Sequence, residues 1–348
     1  MVRATIRWPA SVASCVVPTL LSELTTLRLG GPAARVVTAA SAEEIVTHLR
    51  AADDAGEAVL VVGGGSNLVV SDDGWPGVVL LIRSQGIDRD KDEVTAQAGV
   101  VWDDLVAHSV DMGWSGLAPM SGIPGLCGAT PVQNVGAYGT EVADLVTNAR
   151  VYDRETQRVE DWPPERCGFG FRTSALKQTD RYVVLAVTFR LPASELGPPV
   201  RYLELARRLG IEPHERARSV DIRKTVLELR RKKGMLLDAD DHDTWSAGSF
   251  FVNPFVAPDA VPDGCPHWVV DRQMKLSAAW LIENAGFGKG YGTERVRVST
   301  KHSLALTNRG GATTADLLNL AREIRNGVEA RFGIRLRPEV HLTGVSLD

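Results

Sequence analysis

The chain has 348 residues, enough for two or three sub-domains around a sizeable buried core. With 44% hydrophobic and 24% charged residues and a formal net charge of −4, it has an ordinary globular composition without the basic excess of a nucleic-acid binder. Its four scattered cysteines, Cys15, Cys127, Cys167 and Cys265, form no CxxC pair, which argues against a disulfide framework or a thiolate zinc site and fits a reducing cytoplasm.

Residues 1–20 carry the apolar patch ASVASCVVPTLL behind two arginines. They read either as a signal peptide or as a disordered or mis-started N-terminal extension, and the Ser and Pro breaks favour the extension. No apolar run approaches the length of a membrane span, so no membrane partner is expected; the charge and the cysteine spacing likewise point to no nucleic-acid or metal partner. SAEEIVTHLRAADDAG (41–56) opens with a capping box, Ser41 and Glu44, followed by the stripe Ile45, Val46, Leu49 and Ala52, and predicts a helix ended by Gly56. AVLVV (58–62) and GVVLLI (77–82) predict buried strands flanking GGGSN. EVTAQAG (93–99) predicts a strand and VWDDLVAHSVDMG (101–113) a helix, with His108 on its face. RVYD (150–153) and YVVLAVTFRL (182–191) predict further strands, and GPPV (197–200) a boundary. Beyond it come helices over 218–234, 276–286 and 313–333 and a last strand over 334–345.

Two glycine-rich stretches carry the chemistry. VVGGGSNLVV sets a glycine turn directly after a strand, which suits either a phosphate cradle or a plain tight turn. It lacks the Lys-Ser/Thr of a P-loop, and Leu68 stands where a dinucleotide fingerprint needs glycine. SGIPGLCGATPVQNVGAYG (121–139) is an irregular stretch with five glycines, few charges and the amides Gln133 and Asn134. Such a loop can approach a large planar ligand and read a heterocycle's edge, although Tyr138 also suits simple core packing.

The blocks TTLRLGGPA (25–33), VGGGSN (62–67), SGIPG (121–125), QNVGAYG (133–139), FGFRTS (169–174), AGSFFVNP (247–254) and RPEV (337–340) fall in the order and spacing of one family. From about residue 22 to 345 the chain resembles the UDP-N-acetylenolpyruvoylglucosamine reductases, also called UDP-N-acetylmuramate dehydrogenases, the flavoenzymes of bacterial peptidoglycan synthesis. The resemblance implies an α+β fold. An FAD-binding half of the vanillyl-alcohol-oxidase type, with two α/β sub-domains, would join a C-terminal α/β substrate-binding domain. The expected boundaries are 21–200 for the FAD half, with sub-domains near 21–82 and 83–200, then 201–335 for the substrate domain and 336–348 for a strand returning to the active site.

The resemblance also implies non-covalent FAD, NADPH as hydride donor and UDP-N-acetylglucosamine-enolpyruvate as substrate, in a cytoplasmic enzyme serving cell-wall biogenesis, cell shape and division. The sequence sets no oligomeric state by itself; a monomer is expected. Gly63, Gly64, Gly65, Ser66 and Asn67 would hold the FAD diphosphate. Ser121, Gly122, Ile123, Pro124 and Gly125, with Gln133, Asn134, Gly136, Ala137, Tyr138 and Gly139, would line the rest of the flavin site. Arg172 would grip the substrate carboxylate, Glu339 would polarise the enol form or assist the proton step, and Ser249 would protonate carbon. Phe250 and Phe251 would keep water from that serine, Gly248 would let substrate approach, and Asn253 would grip the ligand. Tyr202 and Lys233 are further substrate contacts, with a one-position slip to Lys232 open in RRKK (230–233), and His302 a third.

Singly, each of these residues reads as well as a surface stack, a turn hydroxyl or a solvated helix end. Their common order decides for function. Val252, Thr25 and Arg337 depart from the family pattern, which bears on substrate affinity rather than reaction type. Two alternatives remain: an FAD oxidase of the same superfamily, and a flavin- or nucleotide-sugar-binding protein without activity. The Arg172, Ser249 and Glu339 set argues against both, since a pure binder needs no proton donor.

Overall fold

A computed structural model describes residues 19–177 and 179–348; the extension or signal-peptide reading of residues 1–18 lies outside the described residues. Three parallel strands form the first sheet, in the order Ala33–Ala39, Trp75–Ile82, Val59–Val62, with the helix Ala42–Asp54 packed on it. The helix starts as expected, Ser41 Oγ accepting the Glu44 amide at 3.2 Å, but the box closes differently. The Glu44 carboxylate reaches past Ser41 to the Ala40 amide at 2.7 Å, the donor left at the end of the preceding strand.

A five-stranded antiparallel sheet follows, ordered Arg158–Trp162, Val146–Asp153, Tyr182–Arg190, Glu93–Gln97, Ile87–Asp90. The central strand Tyr182–Arg190 is apolar almost throughout because both of its faces are covered. Val183 and Leu185 join a core shared with Ile45, Leu49 and Leu80 of the parallel sheet, whereas Val184, Val187 and Phe189 pack with Trp102 and Leu105 of the helix Trp102–Asp111. One strand thus welds the two sheets into one half of the molecule. The expected strand at 150–153 is longer than its apolar residues suggested, Val146–Asp153, because it pairs on both edges.

The helices Leu203–Leu209 and Ser219–Lys232 pack together over Ala118 and Val200. The basic second helix is tied back onto the 121–125 turn: Arg223 forks onto Asp103 at 2.6 and 3.0 Å, Asp103 accepts the Gly122 amide, and Arg230 donates to the Gly122 carbonyl at 3.1 Å. Beyond them lie a three-stranded antiparallel sheet (Phe255–Val256, Gln273–Leu276, His267–Val270), the helix Ala278–Asn284, the hairpin Val296–Val298 with Leu306–Asn308, and the helix Thr314–Phe332, whose Thr313 and Asp316 form a capping box. Phe250, Phe251, Leu281, Leu317 and Ile324 make the core of this half.

The strand expected over 334–345 is a correction. Only His341–Thr343 is regular strand, paired in parallel with Leu68–Val70. Pro338 lacks an N–H and cannot donate to a ladder, so it forms only an isolated bridge to Phe251, through the hydrogen bonds of its neighbours Arg337 and Glu339. Among the described residues no helix is long and apolar enough to cross a membrane.

One cap joins the halves. The Asp72 carboxylate accepts the Thr314 amide at 2.7 Å and the Ala315 amide at 3.0 Å, at the positive end of the longest helix. Asp72→Ala is expected to lower stability by about 1–2 kcal/mol, and Asp72→Asn by less, as read from the midpoint of thermal or urea unfolding.

Candidate active site

A cavity of about 930 Å³ runs between the two halves, at the upper end of the range for ligand pockets. Its floor is the glycine turn Gly63–Asn67, which the strand Val59–Val62 delivers. Gly65 has φ +59°, and a Cβ there would sit 1.9 Å from the Leu24 carbonyl oxygen, so only glycine closes this turn. The turn is pinned from three directions: Ser66 Oγ donates to the Pro124 carbonyl at 3.1 Å, Asn67 Nδ2 to Gln133 Oε1 at 3.0 Å, and Arg83 to the Gly63 carbonyl at 3.0 Å.

Arg172, Ser249 and Glu339 line this same cavity although they lie far apart in sequence. Two backbone hydrogen bonds bring the last two together: the Glu339 amide donates to the Phe250 carbonyl at 2.8 Å, and the Val252 amide to the Arg337 carbonyl at 3.1 Å. Gly248, with φ +73°, makes the turn that sets Ser249 on the wall, and nothing stands where its Cβ would be. Arg172 Nε meets Glu339 Oε1 at 3.1 Å. The other arms of the guanidinium are held by the Gly136 carbonyl at 2.7 Å, the Asn134 carbonyl at 3.5 Å and Glu141 at 3.7 Å. Arg172, Asn134 and Tyr138 all have left-handed backbones (φ 54°, 46° and 51°), each costing on the order of 1 kcal/mol for a side-chain-bearing residue. Strain of this kind collects where function demands a geometry.

Burial raises the Glu339 carboxyl above the usual glutamate range, and the charges of Arg172 and Lys177 oppose that rise. Burial lowers His341, two residues on, with Asp180 opposing and Lys177 reinforcing.

Of the residues expected at the flavin, Gly63, Gly64, Gly65, Ser66, Asn67, Ile123, Pro124, Gly125, Gln133 and Gly136 line the cavity. Others stand behind it. Ser121 is buried, its hydroxyl donating to the Ala118 carbonyl, and Gly122 backs onto Leu227 and Leu236. Asn134 is buried with every arm spent on protein: it donates to Glu141 at 2.8 Å and to the Gly170 carbonyl at 3.0 Å, and accepts the Ala143 amide at 3.0 Å. It builds the seat of Arg172. Gly136–Ala137 forms a two-residue hairpin with Thr140–Glu141, turning through Tyr138 and Gly139. The Tyr138 ring points away to an edge-on stack with Tyr202 at 5.3 Å, beside the helix pair. Phe250 and Phe251 do not wall the serine either: they stack edge-on at 5.0 Å inside the C-terminal core and anchor its backbone from behind.

On the expected substrate side, Lys233 pairs with Glu204 at 2.9 Å and Tyr202 is 40% exposed. His302 is held neutral, its imidazole lowered to about 4 by burial and by Lys233, Lys289 and Arg230. Asn253 Oδ1 accepts the Ala278 amide at 2.9 Å, at a helix start. Sequence reading passed over Glu141, Lys177, Arg230 and Lys275. Lys275 Nζ lies 4.5 Å from the Phe171 ring centroid, and burial together with Arg172 lowers its ammonium. Glu141 and Lys177 occur in irregular stretches, and the periodicity around Arg230 and Lys275 marks a helix and a strand but not where their charges go.

The cavity suits a flavin dinucleotide. The glycine turn offers backbone N–H groups to a diphosphate, Val62 and Leu126 offer apolar wall to a ring, and Gln133 offers an amide. A family model described as an FAD binding domain matches residues 33–160, and one described as the UDP-N-acetylenolpyruvoylglucosamine reductase C-terminal domain matches residues 240–343. The UDP-N-acetylenolpyruvoylglucosamine reductase of Salinispora arenicola is 52% identical, with 94% of this chain and 95% of the relative covered. That of Thermobifida fusca is 49% identical over 94% and 97%. The crystal structure of UDP-N-acetylenolpyruvylglucosamine reductase from Thermus caldophilus superimposes with a TM-score of 0.66 at 26% identity, covering 93% of this chain and 97% of that one.

Two outcomes follow from this geometry. Gly65→Ala is expected to abolish flavin retention, read as loss of visible absorbance in the purified protein. Because Glu339 titrates higher in the native than in the unfolded chain, the native state binds more protons above the ordinary value of 4.5, and stability falls as pH rises through the raised value. In Glu339→Gln that limb is expected to flatten, leaving the variant at least as stable near neutrality. Unfolding midpoints across this pH range test it.

Proposed function

The chain belongs to the UDP-N-acetylenolpyruvoylglucosamine reductase family, and from that premise we propose that Arg172, Ser249 and Glu339 carry out its reaction. The enzyme is a flavoprotein that uses NADPH to reduce the enolpyruvyl ether of UDP-N-acetylglucosamine-enolpyruvate, giving UDP-N-acetylmuramate for peptidoglycan synthesis. The observation that carries the assignment is the Arg172 Nε–Glu339 contact at 3.1 Å on the wall that also presents Ser249.

FAD, held at the glycine turn Gly63–Asn67, would supply to the terminal vinyl carbon the hydride that originates in NADPH. The developing enolate places negative charge on the substrate carboxylate. Arg172, fixed on several sides before substrate arrives, is the preorganised cation for that charge. Ser249 Oγ delivers the proton to the α-carbon. A serine hydroxyl is a weak acid, and its half-buried setting limits competing water. Glu339, with its raised carboxyl, either polarises the enol form or completes the proton path.

Gly63–Asn67, Pro124, Gly125 and Gln133 are proposed to hold FAD, with Asn134 and Tyr138 shaping the loops behind. The cationic group of Lys233, Arg230 and Lys289 around His302 supports a diphosphate site there, with Tyr202 near Lys233; Asn253 is kept as a proposed substrate contact. The division into an FAD half near 21–200 and a substrate half near 201–335, closed by 336–348, is supported by two cores built wholly within residues 39–191, although Leu27, Leu29 and Val69 pack into the C-terminal core. The buried free thiols Cys127, Cys167 and Cys265 support a cytoplasmic enzyme.

Ser249→Ala is expected to slow the enolpyruvyl half-reaction about 10²–10⁴-fold, or about 3–5 kcal/mol. Bleaching of the flavin by NADPH should persist. Anaerobic stopped-flow resolves the two steps, and equal loss of both in a folded variant would remove Ser249 from the proton path.

A further inference from the structure

Lys177 shares the cavity wall with Arg172 and Glu339. A lysine on a polar loop ordinarily carries its ammonium to water. This one is half-buried, and its Nζ donates to the Arg172 carbonyl at 2.9 Å. The loop it closes is tight: Gly170 and Thr173 exchange backbone hydrogen bonds at 3.0 and 3.3 Å, and Ser174 Oγ donates to the Val132 carbonyl at 2.7 Å. The carbonyl it takes belongs to a residue in the left-handed region, φ 54°, a conformation that a side chain disfavours and that a released loop would leave. Burial pulls the ammonium below the usual lysine range, with Glu339 opposing and Arg172 reinforcing.

We propose that Lys177 is a positioning residue for the reduction: its ammonium locks the left-handed backbone of Arg172 so that the guanidinium meets Glu339, and it supplies the second positive charge to the Glu339 carboxylate. The proposal rests on the roles given above to Arg172 and Glu339. The groups around that carboxylate come from every neighbouring element. Arg172 and Lys177 belong to one loop, Glu141 lies beyond the guanidinium at 3.7 Å, and Lys275 approaches Arg172 from the C-terminal sheet. Asn67 reaches the Glu339 backbone carbonyl at 3.5 Å, and His341 is within electrostatic reach of both Lys177 and Asp180. Arg172 is already shared with Glu141 and two carbonyls, and burial of Glu339 outweighs the opposing charges of Arg172 and Lys177 together. Without the lysine charge, the Glu339 carboxyl titrates at a higher pH.

Two substitutions separate the two parts of the role. Lys177→Gln can still donate to the Arg172 carbonyl but carries no charge; Lys177→Met does neither. The primary readout is independent of turnover: NMR titration of the Glu339 carboxyl carbon in glutamate-labelled protein, assigned by its disappearance in Glu339→Gln. Both Lys177 variants are expected to move this titration to higher pH, and Lys177→Arg to restore it. In stopped-flow, Lys177→Met is expected to slow the enolpyruvyl half-reaction about 10–100-fold and Lys177→Gln less, with NADPH bleaching retained. An unmoved Glu339 titration in Lys177→Gln overturns the charge role. Equal rates in Lys177→Gln and Lys177→Met overturn the locking role. Should Lys177→Met fail to fold, the Gln and Arg variants still decide the titration. If Glu339→Gln reduces the enolpyruvyl ether at the parent rate, the proposed role of Glu339 fails, whatever Lys177 does.

Discussion

Two short backbone pairings made by the end of the chain hold the site together. Residues 337–339 run antiparallel to 250–252, which puts Glu339 beside the segment bearing Ser249, and His341–Thr343 runs parallel to Leu68–Val70, directly after the glycine turn. The first pairing fixes the carboxylate to the C-terminal half. The second fixes it to the half that supplies the turn and, through the 133–141 loop, the arginine. The His341 amide donates to the Asn67 carbonyl at 2.9 Å, so the glycine turn and the acid end share one ladder. A shift of one residue in either pairing would turn Glu339 to the opposite face.

The charges on the wall obey one constraint. A carboxylate taken out of water must be paired or it will take up a proton. Glu339 pairs with Arg172 and feels the charge of Lys177 on the same wall, and Arg172 in turn is braced by Glu141, Asn134 and Gly136. A guanidinium with so many fixed neighbours has little rotamer freedom left to lose when an anion arrives. The left-handed backbones of Asn134, Tyr138 and Arg172 are the conformational cost of this arrangement, and they all lie in the two loops that build it.

Much of this was legible beforehand. The capped helices at 41 and 313 and the apolar strands follow from local physics, because a cap needs one side chain at one spacing and a strand needs its alternation. The order of the glycine and Arg/Ser/Glu blocks implied a flavin site, and Gly63–Asn67, Arg172, Ser249 and Glu339 from those blocks line one cavity, whereas Ser121, Gly122, Asn134 and Tyr138 stand behind it. What failed to show was direction. Phe250 and Phe251 flank the serine in sequence and suggested a water-excluding wall, yet their rings enter the core. Asn134 resembled a ligand-reading amide and instead builds the arginine's seat. Lys177 carried no signal, because a lysine in an irregular loop has no periodicity to betray where its ammonium goes.

The sequence by itself determined the chemistry on offer: a glycine turn after a strand, an arginine, a serine and a glutamate in blocks of recognisable order, and enough apolar residues to build the two halves. Those depend on residue type and near-neighbour spacing, which are local. Only the tertiary structure decided which of those groups share one wall, that Glu339 lies against Arg172 at 3.1 Å, and that Lys177 and Glu141 complete the set. These contacts join segments remote in the chain, and burial and electrostatics act through distance in space, which no spacing along the chain encodes.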